Sequence, residues 1–484
     1  DSTKRPSVAE SIKDTAIKKM SVPENQAKKI EKKAGDVDDP TRVDIEKDIY
    51  QIVADGDVNE FSKFMTKNPQ CLNMPNPDGY YLVHLAIMSN QAPIFRELLK
   101  LNADLNVQDP EGKTPLHLAI AAEASEIVST LLSRGVQVAV ADSSGLMPIH
   151  AAAEIGAIKI VSLLIPTLPN INVKAEGGLT ALHMAAINNH GAVVRMLMAN
   201  GASPLNRDDH GNYPIHSAAK NASNSSIEAI LEEAPSQGIE KLDLLALRDR
   251  EKNMPIHCAV ISGNIQTVKY FLKSGALITS QQGVGSTPLH LVAAQGLIEL
   301  AKVMYELQKE LFGKTLNRTD YLKRTPLHWA TIFNHTNMVT YLLEKPGIKP
   351  NPTDVDGNTP LLISASKGNI DTMSELLDAG ADPYCRDRKR RNFLHLLVLA
   401  MESIPDLIEI LKDIKHYQKL IKAKDVFGFT PLHYAAKCGN LAMFLDLVKL
   451  GSSLNLKSNK KQTILHLAAQ YGRYRTVLSV LGKR

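Results

Sequence analysis

A histidine returns every 33 residues along most of this chain, and few folds accommodate so strict a period. Eleven of the fifteen histidines share one register: His84, His117, His150, His183, His216, His257, His290, His328, His395, His433 and His466. Six of the intervals are 33 residues, and the others are 41, 38, 38 and 67. The interval of 67 is two units, because Thr359-Pro360-Leu361-Leu362 puts leucine where the missing histidine would stand. The register gives twelve units, and a worn thirteenth lies 34 residues upstream at Tyr50, ahead of Ala54-Asp55-Gly56-Asp57. A unit this short cannot bury an apolar face alone, so the chain must stack units and gain its stability from neighbour contacts.

The local sequence explains the period. Thr-Pro-Leu-His stands at 114–117, 287–290, 325–328 and 430–433, with variants at 147–150 and 213–216. Threonine caps a helix and proline occupies its first turn, where a missing N–H costs nothing. Small residues follow, as in Ala151-Ala152-Ala153, so this helix can lie close to its neighbours. Glycine six places after the histidine, as at Gly156, Gly263 and Gly439, allows a tight turn into a second helix. The second helix carries paired apolar residues such as Val128, Leu131 and Leu132, and stops at a glycine such as Gly135, Gly275 or Gly451. Asp-x-x-Gly segments, such as Asp109–Gly112 and Asp425–Gly428, then turn the chain into the next unit.

T-P-L-H-x-A on a 33-residue period resembles the ankyrin repeat. The resemblance covers residues 43–484, with the worn unit at 43–75, and implies an all-α fold: an ankyrin-repeat solenoid of helix-turn-helix units with hairpin fingers along one edge. Three units are stretched, between His216 and His257, His290 and His328, and His395 and His433. The extra residues are expected at the second helix or the loop after it, and the first of these units is the expected flexible point. Residues 1–42 lie outside the pattern; with nine Lys/Arg and five Asp/Glu in 1–33 they read as a mobile leader or a charged docking helix.

Composition narrows the function classes. The net charge is +5 and spread over 484 residues, too dilute to argue for nucleic acid. The four cysteines, Cys71, Cys258, Cys385 and Cys438, are far apart and form no CxxC pair, which reads as free thiols in a reducing compartment. No apolar run approaches the roughly 18 residues of a membrane helix. The histidines cannot share a zinc ion, because packed helices lie about 8–10 Å apart and zinc needs ligands at about 2 Å. Their expected role is to hydrogen-bond the turn and threonine of their own motif. Gly112-Lys113-Thr114 and Gly313-Lys314-Thr315 lack the leading glycine of a phosphate loop, and Asp354-x-Asp356-Gly357 lacks the rest of a calcium loop. No nucleophile, base or cofactor site is assembled in the sequence, so neither an enzyme nor a cofactor is expected.

Two fingers stand out by charge. Arg386, Arg388, Lys389, Arg390 and Arg391 crowd one, with Asp387 as the only opposing charge, and Lys457, Lys460 and Lys461 lie two units later. They form either a solvated charge run or a site for an acidic protein surface, a phosphoinositide headgroup or an inositol phosphate. The last unit keeps apolar residues Val477, Leu478, Val480 and Leu481 in its second helix, and a solenoid end wants a polar outer face. The chain therefore reads as a fragment of a longer parent.

The C-terminal third is similar to one ankyrin protein family in particular. Arg391-Asn392-Phe393-Leu394-His395-Leu396, the stretched unit, Gly428-Phe429-Thr430-Pro431-Leu432-His433-Tyr434-Ala435, and the run from Lys460-Lys461-Gln462-Thr463 to Gln470-Tyr471-Gly472-Arg473 resemble, in order and spacing, the transient receptor potential channels of the ankyrin subfamily. The resemblance implies the cytosolic N-terminal arm of a tetrameric, calcium-permeable cation channel opened by temperature, irritants or other noxious stimuli. It implies as partners the neighbouring subunits of a homotetramer and the channel's own membrane domain, with the parent in the cell membrane. The alternative is a soluble ankyrin adaptor for protein–protein interaction.

Overall fold

The computed structural model describes residues 49–400 and 407–482. The segment 1–42 lies outside them. The chain divides into two compact units after Leu244, inside the first stretched repeat.

The first unit holds five complete helix pairs, from Leu82–Met88 with Ala92–Lys100 to Pro214–Lys220 with Asn224–Glu233, and ahead of them the helix Val58–Lys67. The second holds seven, from Pro255–Ser262 with Ile265–Lys273 to Ile464–Gln470 with Tyr474–Leu481. Within each unit first helices pack on first helices of adjacent repeats, and second helices on second helices. Alanines at the first-helix contacts make this close approach possible: Ala152, Ala185 and Ala218 in one unit, and Ala259, Ala293 and Ala435 in the other, are fully buried. Larger groups such as Phe271 and Phe444 on second helices and Phe393 on a first helix are fully buried as well. This is an all-α ankyrin solenoid; among the described residues the fingers contribute only isolated bridges, Lys174 with Thr180 and Lys457 with Thr463.

The first two stretched repeats put their extra residues into short helices after the second helix; the third instead has most of its extra length between its first helix Phe393–Ala400 and its second helix Leu407–Asp413, ahead of the expected place. Ala234–Gln237 and Lys241–Ala246 follow Asn224–Glu233, Lys309–Leu316 follows Ile298–Leu307, and Gln418–Ile421 follows Leu407–Asp413. The second of these is anchored: Phe312 is fully buried, and Gln308 Nε2 donates to the Ala276 carbonyl at 2.7 Å. Where the first-helix turn lacks glycine, another residue takes the left-handed conformation: asparagine at Asn90, Asn189 and Asn334, and Glu123 and Ala222 in the other two turns.

The histidine does more than the sequence suggests. Within its own motif, His290 Nδ1 accepts the Thr287 backbone N–H at 3.1 Å and lies 2.9 Å from Thr287 Oγ1. With Nδ1 accepting, the ring proton sits on Nε2, which donates to a carbonyl of the next finger, Arg324, at 3.0 Å. The same bridge joins His117 to Leu146, His328 to Asn358 and His395 to Phe429, at 3.0, 3.1 and 3.1 Å. The ladder is thus an inter-repeat link as well as a cap. Leu362, in the one unit without histidine, is buried instead, and its N–H donates to Thr359 Oγ1 at 3.3 Å.

These rings are folded in as neutral imidazoles. Burial lowers the pKa of His84, His257, His290, His395 and His433 to about 4, and lowers His117, His150, His183 and His328 in the same direction. The unfolded chain takes up protons near pH 6.5 that the folded chain refuses until about pH 4. The stability from neutral histidine is therefore intact above pH 6.5 and lost as the pH falls from there toward 4. Burial raises Asp109 and Glu154, which opposes this, but only at two carboxyls. Each fully depressed histidine forfeits up to about 1.4 kcal/mol per pH unit in this window. Urea midpoints measured at pH 7, 6 and 5 will fall steeply; equal midpoints at pH 7 and pH 5 would contradict the assignment.

Candidate functional site

Most fingers are held open by an aspartate that turns inward; Asn76, Ala175, Gln282 and Ser458 stand at that place in the others. Asp320 Oδ1 accepts the backbone N–H groups of Leu322 and Arg324 at 2.9 and 2.8 Å, and Oδ2 accepts Trp329 Nε1 at 3.0 Å. Asp425 Oδ1 accepts Phe427 and Phe429 N–H, both at 2.8 Å, while Tyr434 O–H donates to Oδ2 at 2.8 Å. Burial, together with that bond, raises the Tyr434 pKa. These carboxylates are consumed by the turn, and they leave the three residues that follow free to face outward. Asp354 belongs to this set: its carboxylate accepts Asp356 and Asn358 N–H at 2.9 and 2.8 Å, which explains its likeness to a calcium loop. Among the described residues no group of three or more His, Cys, Asp or Glu could hold a metal ion.

Neighbouring tips are joined through the backbone. In the second unit Tyr321 N–H donates to the Val284 carbonyl at 3.1 Å, and Val355 N–H to Leu322 at 3.0 Å. Arg388 N–H then donates to Asp356, Val426 N–H to Lys389, and Asn459 N–H to Phe427, each at 3.0 Å. The tips form one hydrogen-bonded ridge. Rigid, outward-facing residues on such a ridge bind without first losing conformational freedom.

Seven of the eight basic residues singled out in the sequence sit exposed on this ridge or just below it: Arg386, Arg388, Lys389 and Arg390 on one finger, Lys457, Lys460 and Lys461 on another. Arg391 differs. Its Nε and Nη2 both reach Asp387 Oδ2 at 2.7 Å, and Asp387 is buried. It locks the finger and adds no free charge. Between the two basic fingers lies the tip of 425–428, where Val426 and Phe427 are exposed, Phe427 at 59%. Sequence reasoning misses Phe427; its place just before Gly428, on a tip with its anchor already supplied, is the signal that could have found it.

The cysteines offer less. Cys385 lies 3.5 Å from Asp382 Oδ2, and burial with that carboxylate pushes its thiol up to about 11, so it stays protonated at neutral pH and is a poor nucleophile. Cys258 is buried. Cys438 is exposed, but Lys437 Nζ turns to the Tyr471 ring, 5.2 Å from its centroid. A cleft of about 560 Å³ opens between Leu377, Pro383, Tyr384, Ile410 and Ile414, with Asp378, Asp413 and Lys415 at its polar rim. Its walls bring together no nucleophile with a base.

Residues 49–142, 137–209, 256–354, 302–387 and 394–484 match the family pattern described as ankyrin repeats in three copies. The chain belongs to the ankyrin-repeat family. Among curated ankyrin-repeat relatives it is 35% identical over 270 residues to transient receptor potential cation channel subfamily A member 1 of Drosophila melanogaster, covering 55% of this chain and 22% of that protein. It is 28% identical over 293 residues to the Homo sapiens protein of the same name, covering 60% and 26%. Rabankyrin-5 of Mus musculus is 30% identical over 224 residues, covering 43% and 18%. The match spans about a quarter of the length of the two channels.

The geometry separates a structural arginine from free ones. Arg391→Ala leaves Asp387 buried with its ion pair broken, and is expected to cost about 1–3 kcal/mol in urea unfolding. Arg388→Ala, at an exposed tip, is expected to stay within about 0.5 kcal/mol of the parent. Equal costs for the two would refute this division.

Proposed function

We propose that this chain is the cytosolic ankyrin arm of a transient receptor potential cation channel of the ankyrin subfamily, a regulatory and coupling scaffold that performs no catalysis. The similarity to the fly channel, 35% identity over 270 residues, carries the reading, together with the RNFLHL finger, the stretched repeat after it and the YGR turn in family order. In this reading the parent is a calcium-permeable, non-selective channel in the cell membrane, gated by temperature, irritants or other noxious stimuli. The arm's partners are the neighbouring subunits of a homotetramer and the channel's membrane domain, and cytosolic proteins or phosphoinositide at the basic fingers. No helix among the described residues is long and apolar enough to cross a membrane, so the spans would belong to the rest of the parent.

Coupling in such an arm is mechanical. Within each unit, repeats touch through alanine-lined helix contacts, and many also through histidine bridges and tip-to-tip bonds, so a displacement at one finger is resisted by the next. The stretched repeat between His216 and His257 is the proposed compliant point. The second reading, an adaptor for protein partners, draws on the 30% identity to Rabankyrin-5.

The parent transcript decides between them. Six hydrophobic spans and a pore loop in the few hundred codons after residue 484 are expected, and a stop codon there would leave the adaptor. On the protein itself, amide exchange is expected to be faster in Lys241–Ala246 than in the first helix Pro288–Gln295. Uniform protection across both would remove the compliant point.

A further inference from the structure

The finger tips of the two units carry opposite charge. In the first unit the outward tip positions bear Asp78, Glu111, Glu176 and Asp209, all exposed, and no lysine or arginine. In the second unit the equivalent positions bear eight: Arg250 and Lys252, Lys323, Arg388 to Arg390, and Lys460 and Lys461, against the carboxylates Glu251 and Asp356. The chain's formal net charge of +5 conceals this division.

The backbone makes the pattern more pointed. The fourth finger residue needs a positive φ, and in the first unit it is always glycine: Gly79, Gly112, Gly145, Gly178 and Gly211. In the second unit four fingers put a side chain there instead, Lys252 at φ 62°, Lys323 at 59°, Arg390 at 61° and Lys461 at 56°. Glycine adopts this conformation without steric conflict and residues with a Cβ do not. All four exceptions are cations. A turn has no use for a long charged side chain at its least favourable position, so what retains it lies outside the turn.

The same ridge exposes apolar groups between the cations. Val284 is 54% exposed, Tyr321 70%, Leu322 47% and Phe427 59%. Val284 is joined tip to tip with the finger of Tyr321 and Leu322, and Phe427 stands apart on the finger between the Arg388–Arg390 and Lys460–Lys461 tips, so charge interrupts the apolar groups and they do not run along the edge as a groove for a helix would. Nor do the cations converge on a pocket, as a soluble polyphosphate would need; the cleft near Leu377 and Ile414 is lined by other residues. A second copy's acidic first-unit tips would match the charge but offer proline and serine to the aromatic groups. A surface that accepts scattered apolar tips and neutralises interspersed cations is a bilayer containing anionic lipid.

We propose that the finger edge of the second unit docks on an anionic membrane surface, with the cations of Arg388–Arg390 and Lys460–Lys461 on the headgroups and Tyr321 and Phe427 entering the interface. This is independent of the channel reading and does not require it. The test uses the whole 484-residue chain and co-sedimentation with vesicles of phosphatidylcholine alone or with about 30% phosphatidylserine. Binding is expected to the anionic vesicles only, and to weaken at high salt. The combined variant Lys252→Gly, Lys323→Gly, Arg390→Gly and Lys461→Gly is expected to lose at least about tenfold in vesicle affinity while melting no lower than the parent. Phe427→Ser is expected to weaken binding several-fold without changing its salt dependence, and Glu111→Lys, on the first unit, to leave it no weaker. Undiminished binding by the glycine variant would overturn the proposal. So would binding to neutral vesicles alone, inositol hexakisphosphate binding with no vesicle affinity, or salt-sensitive self-association in its place.

Discussion

The bond from a neutral histidine to the carbonyl of the next finger sets the terms for the rest of this molecule. A finger cannot move relative to the helix behind it without breaking the bridge from Nε2, as between His290 and Arg324 or His395 and Phe429. The bridge requires an imidazole with one proton, and Nδ1 fixes which nitrogen carries it by accepting the threonine N–H. The bridge reaches 29 residues ahead from His117, 30 from His328 and 34 from His290 and His395, so the acceptor's place in the next finger is kept while the intervening length varies. Extra residues are admitted after the second helix in the first two stretched repeats and ahead of it in the third, and the bridges of His290 and His395 are kept across the added length. Leucine at 362 shows what the link can be exchanged for: Thr359 still caps the helix, and the tip bond from Arg388 N–H to the Asp356 carbonyl still joins the fingers.

With caps, bridges and inward aspartates taken by the fold, the three outward residues of each finger are the positions the architecture leaves open. Substitution there changes what a partner meets and little of what the chain must do to fold. Asp387 illustrates the boundary. Its buried carboxylate holds Arg391, so one of five adjacent cations is spent on the turn while its neighbours stay in solvent. Charge on such a finger cannot be counted from the sequence alone.

Much of the fold is legible in the sequence because it repeats. Period, proline, alanine and glycine each report the same helix pair, and agreement at many places removes the ambiguity of any one. The reach of the histidine into the next repeat is not legible, since the acceptor is a backbone carbonyl and leaves no residue type behind. The inserted helices are legible as length and not as conformation. For the candidate edge, the run Arg386–Arg391 announces itself, but Phe427 does not: three residues before Thr430, which caps the next helix, and close to Phe429, it reads like more of the core. Only the inward turn of Asp425 shows that Phe427 must point out.

Averaging explains why composition is a poor guide to this surface. A partner feels charges within about a Debye length, roughly 8 Å in physiological salt, and adjacent tips are only one hydrogen bond apart. The cations crowded on one tip therefore act together, as at Arg388–Arg390 and at Lys460–Lys461. A net charge of +5 on 484 residues argues correctly against a surface that is basic throughout. It has no bearing on a ridge whose cations occupy the backbone positions where glycine would be easiest. Positions at which a protein accepts the less comfortable residue repeatedly, and always with the same chemistry, are where selection for something other than folding is most legible.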